Sequence, residues 1–299
     1  MFEGSLPALI TPFKDGAVDE DGFRAFVEWQ IEEGSNGLVP CGTTGESPTL
    51  SHEEHRKVTE ICIDQAKGRV PVIAGAGSNS TKEACELAEH AREAGADAVL
   101  VVTPYYNKPT QKGIYEHFKA VHDAGGLPVI IYNIPPRSII DMTPETMAEL
   151  AKLPNICGVK DATCDLHRPQ VTRVAIRKAS GDEAAEEFCF LSGEDGTAVP
   201  FLAAGGSGCI SVTANVAPRL CSDMQRKWRE GDVAGCMAIQ ERLTPLHQAL
   251  FCETSPGPVK YAASLLGKCG PEARLPITEI AEASKAKVRD ALVAVGLLN

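Results

Sequence analysis

The sequence predicts an α/β fold: an eight-stranded parallel (β/α)8 barrel, the TIM-barrel architecture, with a C-terminal helical extension. Three observations predict it. Short apolar runs alternate with amphipathic stretches along residues 1–230, which is the rhythm of repeated strand–helix units. Several runs are apolar at every position, as in Ala98-Val99-Leu100-Val101-Val102 and Val129-Ile130-Ile131, a pattern expected of strands buried on both faces. After Ala214 the runs stop, and residues 231–299 read as helices only.

Taken in order, the predicted strands are Leu6–Ile10, Gly37–Pro40, Val70–Ala74, Ala98–Val102, Pro128–Tyr132, Ile156–Lys160, Phe188–Ser192 and Gly208–Ser211. The helices between them carry their own punctuation. Ser51 with Glu54, and Ser80 with Glu83, fit the capping box. Thr143-Pro144 fits an N-cap followed by proline at the first helical position. Gly34, Gly68 and Gly95 stand where helices should end. The charged stretch 177–183 reads as a surface insertion between strands six and seven. The C-terminal helices are interrupted at Pro256-Gly257-Pro258 and Gly270-Pro271. A doubly wound sheet is the competing architecture, and it lacks the Gly-x-Gly-x-x-Gly turn after an early strand.

Composition narrows the function. The chain has 299 residues, 43% of them hydrophobic, enough for a large core. A formal net charge of −11 disfavours nucleic acid and anionic membranes as partners. Eleven cysteines are scattered without a Cys-x-x-Cys pair, so a metal or redox motif has no support, and reduced thiols in a cytoplasmic protein are expected. No secretory leader is visible in Met1–Leu9, and no run approaches the ~18 apolar residues of a membrane span.

Barrel chemistry sits at the C-terminal ends of strands. There the sequence places Gly42-Thr43-Thr44-Gly45-Glu46, Tyr105-Tyr106-Asn107, Tyr132-Asn133, Arg137, Lys160-Asp161 and Ser192-Gly193. Lys160 ends an apolar strand. A lysine in such surroundings gives up its proton more readily, and a neutral amine attacks ketones. An ordinary loop-edge lysine is the plainer reading of that position taken alone. Tyr132 on the neighbouring strand is placed either to relay protons or simply to pack in the core. The glycines flanking Thr43 and Thr44 allow backbone N–H groups to approach a carboxylate, or merely form a tight turn. Arg137 can hold a carboxylate bidentately, or be a solvated arginine.

Together these segments, with Lys108-Pro109, Ile134-Pro135, Gly158-Val159-Lys160-Asp161-Ala162-Thr163 and Gly208-Cys209-Ile210-Ser211-Val212, resemble the pyruvate-imine lyases, from Phe2 to the C-terminal helices. Within that superfamily, Tyr105-Tyr106, Arg137 and Glu253-Thr254-Ser255-Pro256 resemble the dihydrodipicolinate synthase family rather than the N-acetylneuraminate lyases. The resemblance implies condensation of pyruvate, held as an imine on Lys160, with aspartate 4-semialdehyde. It implies a proton relay of Tyr132, Thr43 and Tyr106, with Tyr106 reaching across a subunit contact of a homotetramer. Thr43 and Thr44 would bind the pyruvate carboxylate through their backbone, Arg137 the semialdehyde carboxylate, and the backbone of Gly193 and Ile210 would line the pocket. No metal or organic cofactor is implied. Ser47, His52, His55, Asn79, Glu83 and Tyr105 match the polar pattern of a site for inhibitory L-lysine, with Pro48 among them; the two capping boxes account for part of that pattern on structural grounds alone. Ser138-Ile139-Ile140 departs from the Thr-Gly that often follows the arginine.

Rival readings are a sugar-acid aldolase sharing Lys160 and Tyr132, a binding protein on the same scaffold, and a phosphosugar enzyme using Gly205-Gly206-Ser207-Gly208. The binding protein predicts a lost lysine or tyrosine, and both are present. The glycines read more simply as a turn into the last strand.

Overall fold

The structure is a computed structural model describing residues 2–299. The chain forms two compact units. A split unit joins Gly4–Val72 to Ser211–Asn299, and a central unit holds Ile73–Ile210 with Phe2 and Glu3.

The first part of the split unit contains β1 (Gly4–Pro7), a two-stranded antiparallel ribbon of β2 (Phe13–Lys14) and β3 (Ala17–Val18), and helices α1 (Glu20–Glu32) and α2 (His52–Ala66). The strand expected over Leu6–Ile10 stops early because the Ile10 N–H donates to the side chain of Asn215 (2.9 Å) instead of to a ladder carbonyl. The strand expected over Gly37–Pro40 is reduced to two parallel bridges, Ala8 with Val39 and Leu38 with Val72. Pro40 and Pro71 cannot donate to a ladder, which limits it on both sides. Ser51 and Glu54 form the full capping box at α2 (2.8 and 3.1 Å). Val58, Ile61, Cys62 and Ala66 bury one face of that helix, as their spacing requires.

The central unit is a parallel sheet of β4 (Ile73–Gly75), β5 (Ala98–Val102), β6 (Val129–Asn133), β7 (Ile156–Asp161), β8 (Cys189–Ser192) and β9 (Gly208–Ser211), each paired with the next in sequence. Between the strands run α3 (Thr81–Ala94), α4 (Gln111–Gly125), the single turn α5 (Pro135–Ser138), α6 (Pro144–Leu150), α7 (Arg168–Ser180), α8 (Asp182–Glu187) and α9 (Ala198–Ala203). Val99, Ile130 and Ile131 are fully buried; burying each such side chain contributes about 1.5–3 kcal/mol. Helices α3 and α4 pack so closely that a Cβ on Gly125 would stand 3.0 Å from that of Ala88. The charged stretch 177–183 lies at the surface, as expected. It is the end of α7, a break at Gly181 (φ 92°) and the start of α8, clasped by Arg177 Nε to Asp182 at 2.6 Å.

The split unit resumes with α10 (Pro218–Arg229), α11 (Val233–Ala249), α12 (Gly257–Leu265) and α13 (Glu282–Ala294), and the stretch 266–281 between the last two lies outside any helix. Among the described residues no helix is long and apolar enough to cross a membrane.

Candidate active site

The strand register decides which side chains become neighbours. Successive side chains of a strand alternate faces, so residues level with one another on adjacent strands share a face. Val102 is level with Tyr132, Tyr132 with Lys160, Lys160 with Leu191, and Leu191 with Gly208. Tyr132 and Lys160 therefore project together, and the Lys160 Nζ stands 4.2 Å from the centroid of the Tyr132 ring. Both are buried, at 5% exposure for Lys160 and 6% for Tyr132. Among the described residues no carboxylate pairs with the Lys160 amine. An unpaired buried ammonium is costly, and the ring face offsets only part of that cost.

Gly193 and Ile210 also lie in the central unit. The Gly193 N–H donates to the Asp161 carbonyl at 2.6 Å, and a Cβ there would meet the Ala162 Cβ at 2.8 Å and the Lys160 Cε at 3.2 Å. Only glycine leaves the lysine its room. Ile210 is buried on β9.

The loops after β5 and β6 carry the exposed members. Tyr106 adopts a left-handed conformation (φ 70°) and is 89% exposed, so its ring stands clear of its own chain. Arg137 lies on α5, exposed and without an ion pair among the described residues. Its segment is tied back to the end of β6 by Asn133: Nδ2 donates to Asp141 Oδ1 (2.7 Å) and Oδ1 accepts from the Met142 N–H (3.1 Å). Arg168 grips Asp141 with two further bonds (2.9 and 3.0 Å). Ile139 stands at φ 68°, a conformation costly for a β-branched residue.

The remaining predicted residues form a second group, in the split unit. Thr43 and Thr44 occupy a turn closed by Gly45 N–H to Gly42 carbonyl (3.1 Å) and Glu46 N–H to Thr43 carbonyl (3.1 Å), with the Thr11 hydroxyl on the Gly45 carbonyl (2.7 Å). Neither the Thr43 nor the Thr44 N–H has an acceptor among the described residues. Consecutive free N–H groups in a tight turn form an anion-binding nest. Cys41 (φ 55°) and Glu46 (φ 57°) flank it in left-handed conformations, and burial pushes the Cys41 thiol up to about 12.

The residues matching a lysine site divide between the units. In the central unit, Glu83 accepts from the Ser78 hydroxyl, and the Ser80 hydroxyl accepts from the Glu83 N–H, so Ser80 caps α3 while the Glu83 carboxylate turns elsewhere. The Tyr105 phenol is held above its ordinary range by burial and by Glu83, against a backbone hydrogen bond from Asn79. Asn79, Glu83 and Tyr105 are thus brought together. In the split unit Ser47 opens a short 3-10 turn with Pro48, His52 is exposed on the first turn of α2, and His55 is buried one turn further on.

Sequence reasoning missed the groups that hold these residues. Asp161, whose carboxyl burial pushes upward, accepts from both the N–H and hydroxyl of Thr163 (2.8 and 2.7 Å). A cluster of the buried Glu46 and Lys260 with the half-buried Arg274 was equally invisible, although Glu46 lies in the quoted glycine-flanked turn.

A model of the Dihydrodipicolinate synthetase family matches residues 1–295. The chain belongs to this family. Among dihydrodipicolinate synthetase relatives, the 4-hydroxy-tetrahydrodipicolinate synthase of Rhodospirillum centenum is 63% identical over 299 residues, with 100% of both chains covered. The chloride-inhibited dihydrodipicolinate synthase of Acinetobacter baumannii, solved in complex with pyruvate, is 43% identical, with a TM-score of 0.93 and 100% of both chains covered. The enzyme of Cyanidioschyzon merolae, solved with lysine bound, is 37% identical, with a TM-score of 0.92 and 99% of each chain covered. The dihydrodipicolinate synthetase family is one of enzymes, and this chain is one of its enzymes. The motif resemblance therefore holds along the whole sequence.

Proposed function

We propose that this chain is a class I aldolase-type lyase that condenses pyruvate with aspartate 4-semialdehyde to 4-hydroxy-tetrahydrodipicolinate, in lysine and diaminopimelate biosynthesis. One observation carries the reading. Lys160 is a buried amine with no carboxylate partner among the described residues, lying over the Tyr132 ring.

In this mechanism the neutral Lys160 amine adds to the pyruvate ketone, and loss of water leaves a protonated imine. The imine nitrogen draws electrons, so the methyl group loses a proton and an enamine forms. The enamine carbon attacks the aldehyde, whose oxygen takes up a proton. The amino group of the semialdehyde then displaces Lys160 from the imine carbon, closing the ring and freeing the enzyme. Tyr132, Thr43 and Tyr106 relay the protons. The N–H groups of Thr43 and Thr44 hold the pyruvate carboxylate, Arg137 holds that of the semialdehyde, and the backbone of Gly193 and Ile210 lines the pocket. The free N–H pair, the solvent-facing Arg137 and the requirement for glycine at 193 support these roles. No metal or organic cofactor enters the scheme, because the imine performs the polarisation.

The exposure of Tyr106 supports a homotetramer in which that ring completes a neighbouring subunit's relay. In this reading residues 1–230 form the (β/α)8 barrel and residues 231–299 the helical extension, and the enzyme works in the cytoplasm. L-lysine inhibits it through Ser47, His52, His55, Asn79, Glu83 and Tyr105; the lysine-bound relative and the grouping of Asn79, Glu83 and Tyr105 support this. Initial rates that ignore millimolar lysine would remove the inhibition.

The reading is tested by intact mass after borohydride reduction with pyruvate. A pyruvate-sized adduct is expected on the native chain and none on Lys160→Ala. An unmodified native chain would overturn the imine mechanism.

A further inference from the structure

The split unit contains a second buried lysine. Lys260 on α12 is fully buried, and its Nζ donates to Glu46 Oε1 (2.5 Å) and to the Glu272 carbonyl (2.6 Å) while lying 3.9 Å from the Phe13 ring centroid. The other oxygen, Glu46 Oε2, accepts from the Arg274 N–H (2.8 Å). The Arg274 guanidinium covers the opposite side of the cluster, with two bonds to Glu54 (2.7 and 2.6 Å), one to the Thr49 carbonyl (2.9 Å) and one to the Gly16 carbonyl (2.8 Å). Every carboxylate oxygen of Glu46 is thus occupied from the C-terminal segment.

Glu46 is also the last residue of the Thr43–Thr44 turn. Its N–H closes that turn on the Thr43 carbonyl, and its own carbonyl accepts from the N–H and hydroxyl of Thr49 (2.9 and 3.0 Å). Its left-handed backbone (φ 57°) is disfavoured for a residue with a side chain. A strained conformation persists where surrounding contacts fix it, and here they come from residues more than two hundred positions away. A buried ion pair is seldom the most stable filling for a core, so its presence here calls for another role.

We infer that Lys260 and Arg274 are positioning residues for the anion nest. Acting through Glu46, they fix the direction in which the Thr43 and Thr44 N–H groups point, and so set the affinity for the substrate carboxylate. The inference rests on the imine reading given above.

The test is borohydride trapping across a range of pyruvate concentrations. Lys260→Met leaves a buried carboxylate unpaired and risks misfolding, so Glu46→Gln/Lys260→Met, which removes both charges, is measured beside it. Leu243→Ala, a buried change in α11, supplies a destabilised control. For the double variant the expected result is full labelling at saturating pyruvate, with the half-saturating concentration raised about ten-fold, the loss of roughly one oriented hydrogen bond to a charged group. The control should lower the melting temperature and leave half-saturation unchanged. Unchanged half-saturation in the folded double variant, or an equal shift in the control, would overturn the inference. An unlabelled native chain would instead overturn the imine reading, and this inference with it.

Discussion

Lys160 and Lys260 are both buried, and they differ in what faces the amine. Lys260 meets a carboxylate at 2.5 Å, whereas among the described residues Lys160 meets no carboxylate and lies over an aromatic ring. Position in the sequence does not distinguish them, since each sits among apolar neighbours. The contrast needs Glu46, which lies 214 residues from Lys260. Tyr132, by contrast, was legible beside Lys160, because strand ends that follow apolar runs of similar length come level in a parallel sheet. Tyr132→Phe keeps the ring under Lys160 and removes the hydroxyl. It is expected to lower kcat about 100-fold while the pyruvate adduct still forms; steady-state rates beside mass spectrometry check this. At Ile139 the left-handed backbone costs about 1–2 kcal/mol, and the side chain is largely exposed. Ile139→Gly is expected to hold or raise stability by up to about 1 kcal/mol, measured by denaturant unfolding, whereas glycine at an exposed helical site lowers it.

At the scale of elements, β5 and β9 fall within their expected bounds, since their apolar runs are unbroken by proline. Gly37–Pro40 failed as a strand for the complementary reason. Its pairing is limited by prolines, and Asn215 takes the Ile10 N–H that a longer β1 would use. The side chain of a residue some two hundred positions away leaves no local signal. The helix ends were readable because caps are local, as at Ser51, Thr143 and Gly95. Ser51→Ala should cost about 1 kcal/mol, seen as a lower denaturation midpoint with an unchanged slope. Helix α4 carries a pH response. The His117 imidazole is held down to about 4 by burial, against an ordinary 6.5, and meets the Thr81 hydroxyl at 2.9 Å. Between those values the unfolded chain binds the proton and the folded chain does not. Stability is therefore full above 6.5 and falls as the pH drops toward 4, by up to about 3 kcal/mol. His117→Gln should flatten that part of the stability–pH curve.

For the whole molecule, the proposed relay through the exposed Tyr106 would make activity a property of the assembly. Tyr106→Phe is expected to leave the mass in solution unchanged, by light scattering, while kcat falls at least ten-fold. A full rate in that variant would remove Tyr106 from the relay. The division into two units has a different consequence, which concerns synthesis. Apart from Phe2 and Glu3, the central unit is one continuous stretch whose strands pair in sequence order, so its contacts become available while the chain is still emerging. The split unit is otherwise: Gly4–Val72 is made first, yet Ile10 waits for Asn215 and Glu46 waits for Lys260. Closing such distant contacts carries a larger entropic cost and slows folding. The opening segment of this chain, with its buried β1 and the nest turn, must therefore wait on the ribosome for its C-terminal partners until nearly the last helix has been translated, and that interval is when it most needs protection from aggregation.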